Sequence, residues 1–407
     1  MIIIIISSII GLLMAFAIGA NDVANSMATA VGAKAITIKQ AVLIATVLEF
    51  AGAFFFGSMV AKTIGKGIVP LDKIPSEPVL IAGAISAIVG ATIFIIIATL
   101  FELPVSTTHS IVGGMAGFGI IAIGFSAINW IKIFLIVLSW IISPIVGGLL
   151  AFFVFKAISN LILRKSNPFK ATKKFGPYLI FATFFIIAWM FSQKTLHHHL
   201  LVSILVALGI GLIAGLCGFL IFRKINMTGD QQSSVEKIFK NLQVMTSCYV
   251  ALAHGANDVA NAIGPLAIVI TVITSRSLTA ADQSSIPKFL LALGGIGITL
   301  GIGILGHKVM KTIGEKITSL NNSRGFTIDF STATAVIIAS SLGMPISSTH
   351  TVVGSVIGVG YARGIEAVDF GVVKQIFLSW LITVPAAAVT SGLLYKFIIF
   401  RLILSLY

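Results

Sequence analysis

Residues 19–26 read GANDVANS, and residues 255–262 read GANDVANA. Working outward, LPVSTTHSIVGG at 103–114 returns as MPISSTHTVVGS at 344–355, and LSW at 138–140 returns at 378–380. The three pairs keep their order at offsets of 236, 241 and 240 residues. One structural unit is therefore written twice. The halves run over 1–158 and 241–407. Residues 159–240 add a basic loop, two further apolar runs and a polar segment.

The chain has 407 residues, 57% of them hydrophobic and only 10% charged, against about 25% charged in a soluble domain. Mean hydropathy is +1.08. So few charges cannot cover a water-soluble surface, which excludes a soluble enzyme, a nucleic-acid binder and a disordered chain. What remains is an all-α polytopic membrane protein, since a spanning helix needs about 20 apolar residues. The sequence shows about 12 apolar segments. The first of them is read as a retained membrane helix, because no basic residue precedes Lys34 and cleavage near Ala20 would cut beside the repeated motif.

If the runs around each PxSxTH segment (79–125 and 331–361) are re-entrant hairpins, each half has three full crossings. Two extra crossings between the halves then leave them oppositely oriented, as inverted-topology repeats with broken helices. The net charge of +14 resides mostly in short loops. Loop 156–176 carries six Lys/Arg and loop 223–240 four, and loop 307–329 contains Lys308, Lys311, Lys316 and Arg324. This arrangement puts all three on one side, expected to be cytoplasmic and to face the anionic inner leaflet, with both termini outside. Loop 62–78 fits less well: Lys62, Lys66 and Lys73 share it with Asp72 and Glu77. The segment 226–242 reads as a surface helix capped by Thr228 or Asp230.

GANDVAN places Asn21, Asp22 and Asn25 inside an apolar run, and Asn257, Asp258 and Asn261 in the second copy. A membrane carboxylate is costly unless paired or hydrated. Gly19 and Gly255 are expected to let the backbone leave the helix, so that carboxylates, amide oxygens and freed carbonyls form a site for an alkali cation, with Asn21, Asp22, Asn257 and Asp258 as sodium ligands. In the second constellation Pro104 and Pro345 are expected to stop a helix. Thr107, Thr108 and Ser110, and likewise Ser348, Thr349 and Thr351, then gather hydroxyls at the next helix start. Such a start binds anions through its free N–H groups and its dipole. Taken alone these hydroxyls would read as helix caps; beside the Asp/Asn motif they read as anion contacts.

His109 and His350 follow the two tips and read as hydrogen-bonded residues that fix them. Glu49 lies alone in an apolar run, a candidate for ion or proton coupling. At the repeat offset its counterpart is Ser285, which breaks the symmetry. Glu102, beside the first tip, reads as a solvated helix end, and His197–His199 as a solvated loop. Gly147-Gly148 and Gly294-Gly295 suit close helix packing within or between chains, so a homodimer is one expected assembly.

The doubled GANDVAN and PxSxTH signature resembles that of the inorganic phosphate transporter (PiT) family, over essentially the whole chain except its centre. The resemblance implies secondary active uptake of phosphate across the plasma membrane, driven by sodium or protons, without enzymatic activity or a resident cofactor. It implies cation sites at Asp22 and Asp258, substrate contacts from Asn25, Asn261 and the hairpin hydroxyls, and a phosphate-linked role for Glu49. Sodium is preferred to protons because the clusters are oxygen-rich and show no obvious relay. Sulfate transport by the same fold is an alternative. An intramembrane aspartyl protease with Asp22 and Asp258 as a dyad is a remote one, since neither aspartate has the Tyr-Asp or Gly-x-Gly-Asp context.

Overall fold

A computed structural model describes the chain apart from residues 59, 62, 64–67, 228, 279–285, 311–319 and 365–369, and apart from the side chains of residues 194, 195, 370, 372, 375 and 376. Thr228, Ser285, Lys62, Lys66, Lys311 and Lys316 lie outside the described residues. The first half contributes α1 (Ile2–Gly32), α2 (Ile38–Phe56), α3 (Glu77–Leu100), α4 (Thr107–Ile123) and α5 (Trp130–Ile158). The centre contributes α6 (Pro168–Met190) and α7 (Leu200–Lys224). The second half contributes α8 (Gln231–Ser275), α9 (Lys288–Leu305), α10 (Asn322–Ser341), α11 (Ser348–Arg363) and α12 (Phe370–Leu394), and α13 (Phe400–Leu406) ends the chain. Among the described residues nine helices are long and apolar enough to cross a membrane. The protein is a multi-pass, all-helical membrane protein.

Helices α4 and α11 are 17 and 16 residues long, or roughly 25 Å, which is short of a ~30 Å hydrocarbon core. They form the second arms of hairpins with α3 and α10. Packing is reciprocal between the halves: α1 lies on α9 and α8 on α2, while α4 lies on α12 and α11 on α5. Each half therefore closes over the other's hairpin. These four contacts pair off, two of one sense with two of the other.

Several local expectations change. Helices α1 and α8 run unbroken through Asn21–Asn25 and Asn257–Asn261, so no carbonyls are freed there. Gly19 and Gly255 serve close approach instead. A Cβ at Gly19 would strike the backbone carbonyl of Ile298, and one at Gly255 that of Glu49. The breaks lie at the hairpin tips. Helix α3 ends on Glu102, at φ 59°, with the Leu103 N–H on the Ala98 carbonyl (2.9 Å). Helix α10 ends on Gly343, at φ 69°, with the Met344 N–H on the Ala339 carbonyl (3.0 Å). These are left-handed C-terminal caps. They stop each helix before Pro104 or Pro345 is reached, and exposed Glu102 sits at the helix end.

The polar segment 226–242 is not a separate surface helix. Asp230 caps α8, accepting from the Ser233 N–H at 3.3 Å, and the helix continues for 45 residues to Ser275. The stretch 322–329, read above as loop, is the start of α10, a polar helix that the bundle buries. The glycine pairs pack within the chain: Gly147 and Gly148 against Thr351 and Gly354, and Gly294 and Gly295 against Ile263 and Phe50.

Gly19→Ala and Gly255→Ala should each cost about 1–3 kcal/mol of stability, as overpacking does. Gly303→Ala, where nothing lies within 4 Å of the added carbon, should be neutral. A thermal ramp followed by size-exclusion chromatography in detergent checks the contrast.

Candidate functional site

The two tips meet. Ser106 and Ser347 cap α4 and α11 with the same backbone angles (φ −87°, ψ 112°), each accepting the N–H of the histidine three residues on at 3.3 Å. The Thr108 hydroxyl donates to the Ile346 carbonyl on the opposite tip (3.2 Å), and the Thr349 hydroxyl to the Val105 carbonyl (3.4 Å). Both helix N-termini thus converge on one buried point, each with first-turn N–H groups that a helix leaves without intrahelical partners.

At that point the aspartates and hydroxyls interlock. Thr107 donates to Asp22 Oδ2 (2.6 Å), and Ser348 donates to Asp258 Oδ2 (2.9 Å). The Asn261 amide from the second half donates to Thr107 (3.1 Å) and Thr108 (3.3 Å) of the first tip. Reciprocally, Asn25 donates to Ser348 (3.3 Å) and Thr349 (3.0 Å) of the second, and also to Asp22 Oδ1 (3.0 Å). All of these residues are buried. Candidate ligand atoms of Asp22, His254 and Asp258 lie within 4.8 Å of one another. Two ionised carboxylates at that separation repel by roughly 3 kcal/mol at an effective dielectric of about 20. A cation between them would remove that cost.

Asn21 and Asn257 bond chiefly to the hairpins of their own halves. The Asn21 amide donates to Thr99 and to the Leu103 carbonyl (3.0 Å each), and its oxygen accepts the Val105 N–H (3.2 Å). Asn257 donates to the Ile346 carbonyl (3.1 Å) and to neighbouring Asp258 (2.5 Å), and accepts from Ser340 (3.3 Å). Each pins its own half's hairpin against the long helix. Ser110 and Thr351 turn back onto the Ser106 and Ser347 carbonyls (3.1 and 2.9 Å) rather than toward the centre. His350 bonds the Trp140 carbonyl (3.1 Å) and stacks on Trp380 at 3.4 Å, while His109 packs on Trp140 at 3.7 Å. The histidines and the two LSW indoles thus form an aromatic backing behind the tips. His197–His199 is an exposed loop.

Glu49 belongs to a chain that the sequence reading missed. Ser26 donates to Glu49 Oε1 (2.8 Å), Glu49 Oε2 contacts His254 Nδ1 (2.9 Å), and His254 Nε2 contacts Asp258 Oδ2 (2.5 Å). A carboxylate–imidazole–carboxylate chain at contact distance is therefore present where the sequence showed no obvious relay. The available signal was a lone His four residues before Asp258, one helical turn away on the same face. The glycine contacts also correct the repeat register. Gly255 abuts Glu49 as Gly19 abuts Ile298, so Ile298, not Ser285, stands opposite Glu49. At the 236 offset His254 matches Ile18 and Ser26 matches Ala262. Ser26 and Glu49 of the first half join His254 of the second in the polar chain, and the repeat-related positions hold an alanine and two isoleucines.

Asp329 was also missed, because it fell in the presumed loop. It is buried in α10, accepting from Thr29 of α1 (2.5 Å) and Ser247 of α8 (2.6 Å). It ties three helices together next to the centre.

Comparison with known proteins accords with this geometry. A model of the phosphate transporter family matches residues 18–391. A "Putative phosphate permease" of Pyrococcus furiosus is 53% identical over 97% of this chain and 96% of its own length. The chloroplastic inorganic phosphate transporter 2-1 of Arabidopsis thaliana is 38% identical over 97% of this chain and 71% of its own. A solved structure described as a sodium-dependent phosphate transporter is similar at a TM-score of 0.93 and 52% identity, covering 97% of this chain and 98% of that one.

His254→Ile alone should destabilise the protein by about 3–5 kcal/mol, because it strands buried Glu49. The paired change Glu49→Ile with His254→Ile copies the Ile298 and Ile18 arrangement and should recover most of that loss. Thermal unfolding of the two single variants and the double variant measures the coupling.

Proposed function

The chain belongs to the phosphate transporter family, and on that premise we propose that it is a sodium-coupled phosphate symporter of the plasma membrane, working by alternating access. It is a transporter, not an enzyme. One observation carries the proposal: hydroxyls from both hairpin tips bond directly to a buried aspartate pair, and asparagines exchanged between the halves donate to the same hydroxyls. The sodium dependence named for the 52% identical structure supports the choice of cation.

Thr107, Thr108, Ser348, Thr349, Asn25 and Asn261 are the proposed phosphate contacts, together with the first-turn N–H groups of α4 and α11. No Lys or Arg is among them, which suits a carrier that must release its anion. Asp22 and Asp258 are the proposed sodium ligands. Asn21 and Asn257 position the hairpins, and Ser110 and Thr351 stabilise the tips from behind. Sodium between the aspartates offsets the repulsion that phosphate would meet there, so each ligand raises the affinity for the other.

The two halves are proposed to be inverted repeats, 1–158 and 241–407, joined by 159–240. The basic loops then face the cytoplasm and both termini lie outside. Alternating access requires the hairpins to change partners, and the asparagine–hydroxyl bonds between halves are the contacts that must exchange. The Glu49–His254–Asp258 chain favours one second reading, in which a proton accompanies or replaces a sodium ion through Asp258.

Uptake of radiolabelled phosphate into proteoliposomes under imposed sodium or proton gradients tests the proposal. Sodium alone should drive accumulation, and excess sulfate should compete weakly. Asp22→Asn should lower sodium-driven uptake at least tenfold, whereas unchanged sodium activation in that variant would remove Asp22 from the cation site. Accumulation driven only by protons and lost in His254→Gln would establish the second reading.

A further inference from the structure

The hairpin α6–α7 belongs to neither repeat, and its outer face holds a groove that the transport reading leaves unused. The groove has a volume of about 670 Å³. Its floor is apolar, with Phe181, Leu216 and Phe219 along it. Gly215 keeps the floor open, since a side chain there would press on Phe181 at 3.2 Å. One end carries four cations: Lys170, Lys173, Lys174 and Arg223.

These charges have no acid near them in sequence. Between Glu102 and Asp230 the chain contains no Asp or Glu at all. Of the elements packed on this hairpin, α8 brings Glu236, which is engaged with Asn321 and Ser323 at 2.8–3.1 Å. Lys173 is held in place, its ammonium donating to the Arg223 carbonyl (3.1 Å) and the Ile225 carbonyl (2.9 Å) at the end of α7. Lys170 and Lys174 are exposed and lie one turn apart, a like-charge spacing that is unfavourable without a counter-anion. The basic end adjoins loops 156–176 and 223–240, the side assigned to the cytoplasm.

We propose that this groove binds an anionic phospholipid of the inner leaflet. The phosphodiester headgroup lies on Lys170, Lys173, Lys174 and Arg223, and one acyl chain lies along Phe181, Leu216 and Phe219. A soluble anion would use the cations but not the apolar floor. A zwitterionic lipid would use the floor but bring its own ammonium to the basic end. Only an anionic lipid satisfies both parts, as basic pockets between membrane helices do elsewhere.

The test uses the full-length protein in detergent, titrated with phosphatidylglycerol and followed by native mass spectrometry. One lipid per chain should be retained more tightly than phosphatidylcholine. The triple variant Lys170→Ala, Lys174→Ala, Arg223→Ala should weaken retention on the order of a hundredfold. A charge-matched control, Arg164→Ala, Lys165→Ala, Lys224→Ala, removes basic residues that do not line the groove and should retain the lipid. Phosphate uptake by both variants in phosphatidylcholine liposomes establishes that they are folded. Equal loss of lipid in the two variants would overturn the proposal by reducing it to general surface charge. Displacement of the lipid by millimolar inorganic phosphate would overturn it in favour of a soluble anion.

Discussion

Two carboxylates that share one buried point inside a membrane cannot both stay charged without a compensating cation, and the arrangement of this protein follows from that constraint. Asp22 and Asp258 sit within 4.8 Å of each other and of His254, with their outer oxygens bonded to hydroxyls of the two hairpin tips. The tips bring helix N-termini, which favour negative charge. Carboxylates and N-termini at one place suit a cation and an anion that arrive together, as the proposed symport requires. In the proposed symport, cooperative binding of the two follows from the electrostatics, with no separate device needed.

The reciprocity of the packing explains how such a site is built. Each hairpin is pinned by its own half, through Asn21 or Asn257, and touched by the other, through Asn261 or Asn25. The first set of bonds fixes the tip to its long helix, and the second spans the boundary across which the proposed alternating access would take place. The glycines at 19, 52, 255 and 301 bring the helices around the site into backbone contact. The departure from symmetry is local and complete. Ser26, Glu49 and His254 form a polar chain ending on Asp258, and Ala262, Ile298 and Ile18 stand in their places on the other side. Two aspartates equal by sequence are thereby made unequal in surroundings.

Much of this was legible in the residues. Composition and hydropathy gave the membrane class, and the doubled GANDVAN and PxSxTH segments picked out the central side chains, because buried polar residues in an apolar run have few uses. Packing details were not legible. Gly19 read as a helix breaker, yet close helix contact makes the same demand for a missing Cβ. Glu49 was assigned the wrong counterpart because sequence offsets ignore loop-length differences between the halves, whereas the glycine contacts give the register directly. His254 passed unnoticed because its partners lie on another helix and one turn ahead. Asp329 was hidden by hydropathy: the first turns of α10 are polar enough to resemble a loop, and only the surrounding bundle shows them to be interior.

The central claim is that cation and phosphate bind as one unit at the aspartate pair. The most direct measurement is phosphate binding to the purified protein in detergent, by isothermal titration, across sodium concentrations at constant ionic strength. The account predicts that phosphate affinity rises steeply with sodium, that sodium affinity rises by the same factor with phosphate, and that both effects collapse in Asp258→Asn. Equal phosphate affinity with and without sodium, in folded protein, would contradict it.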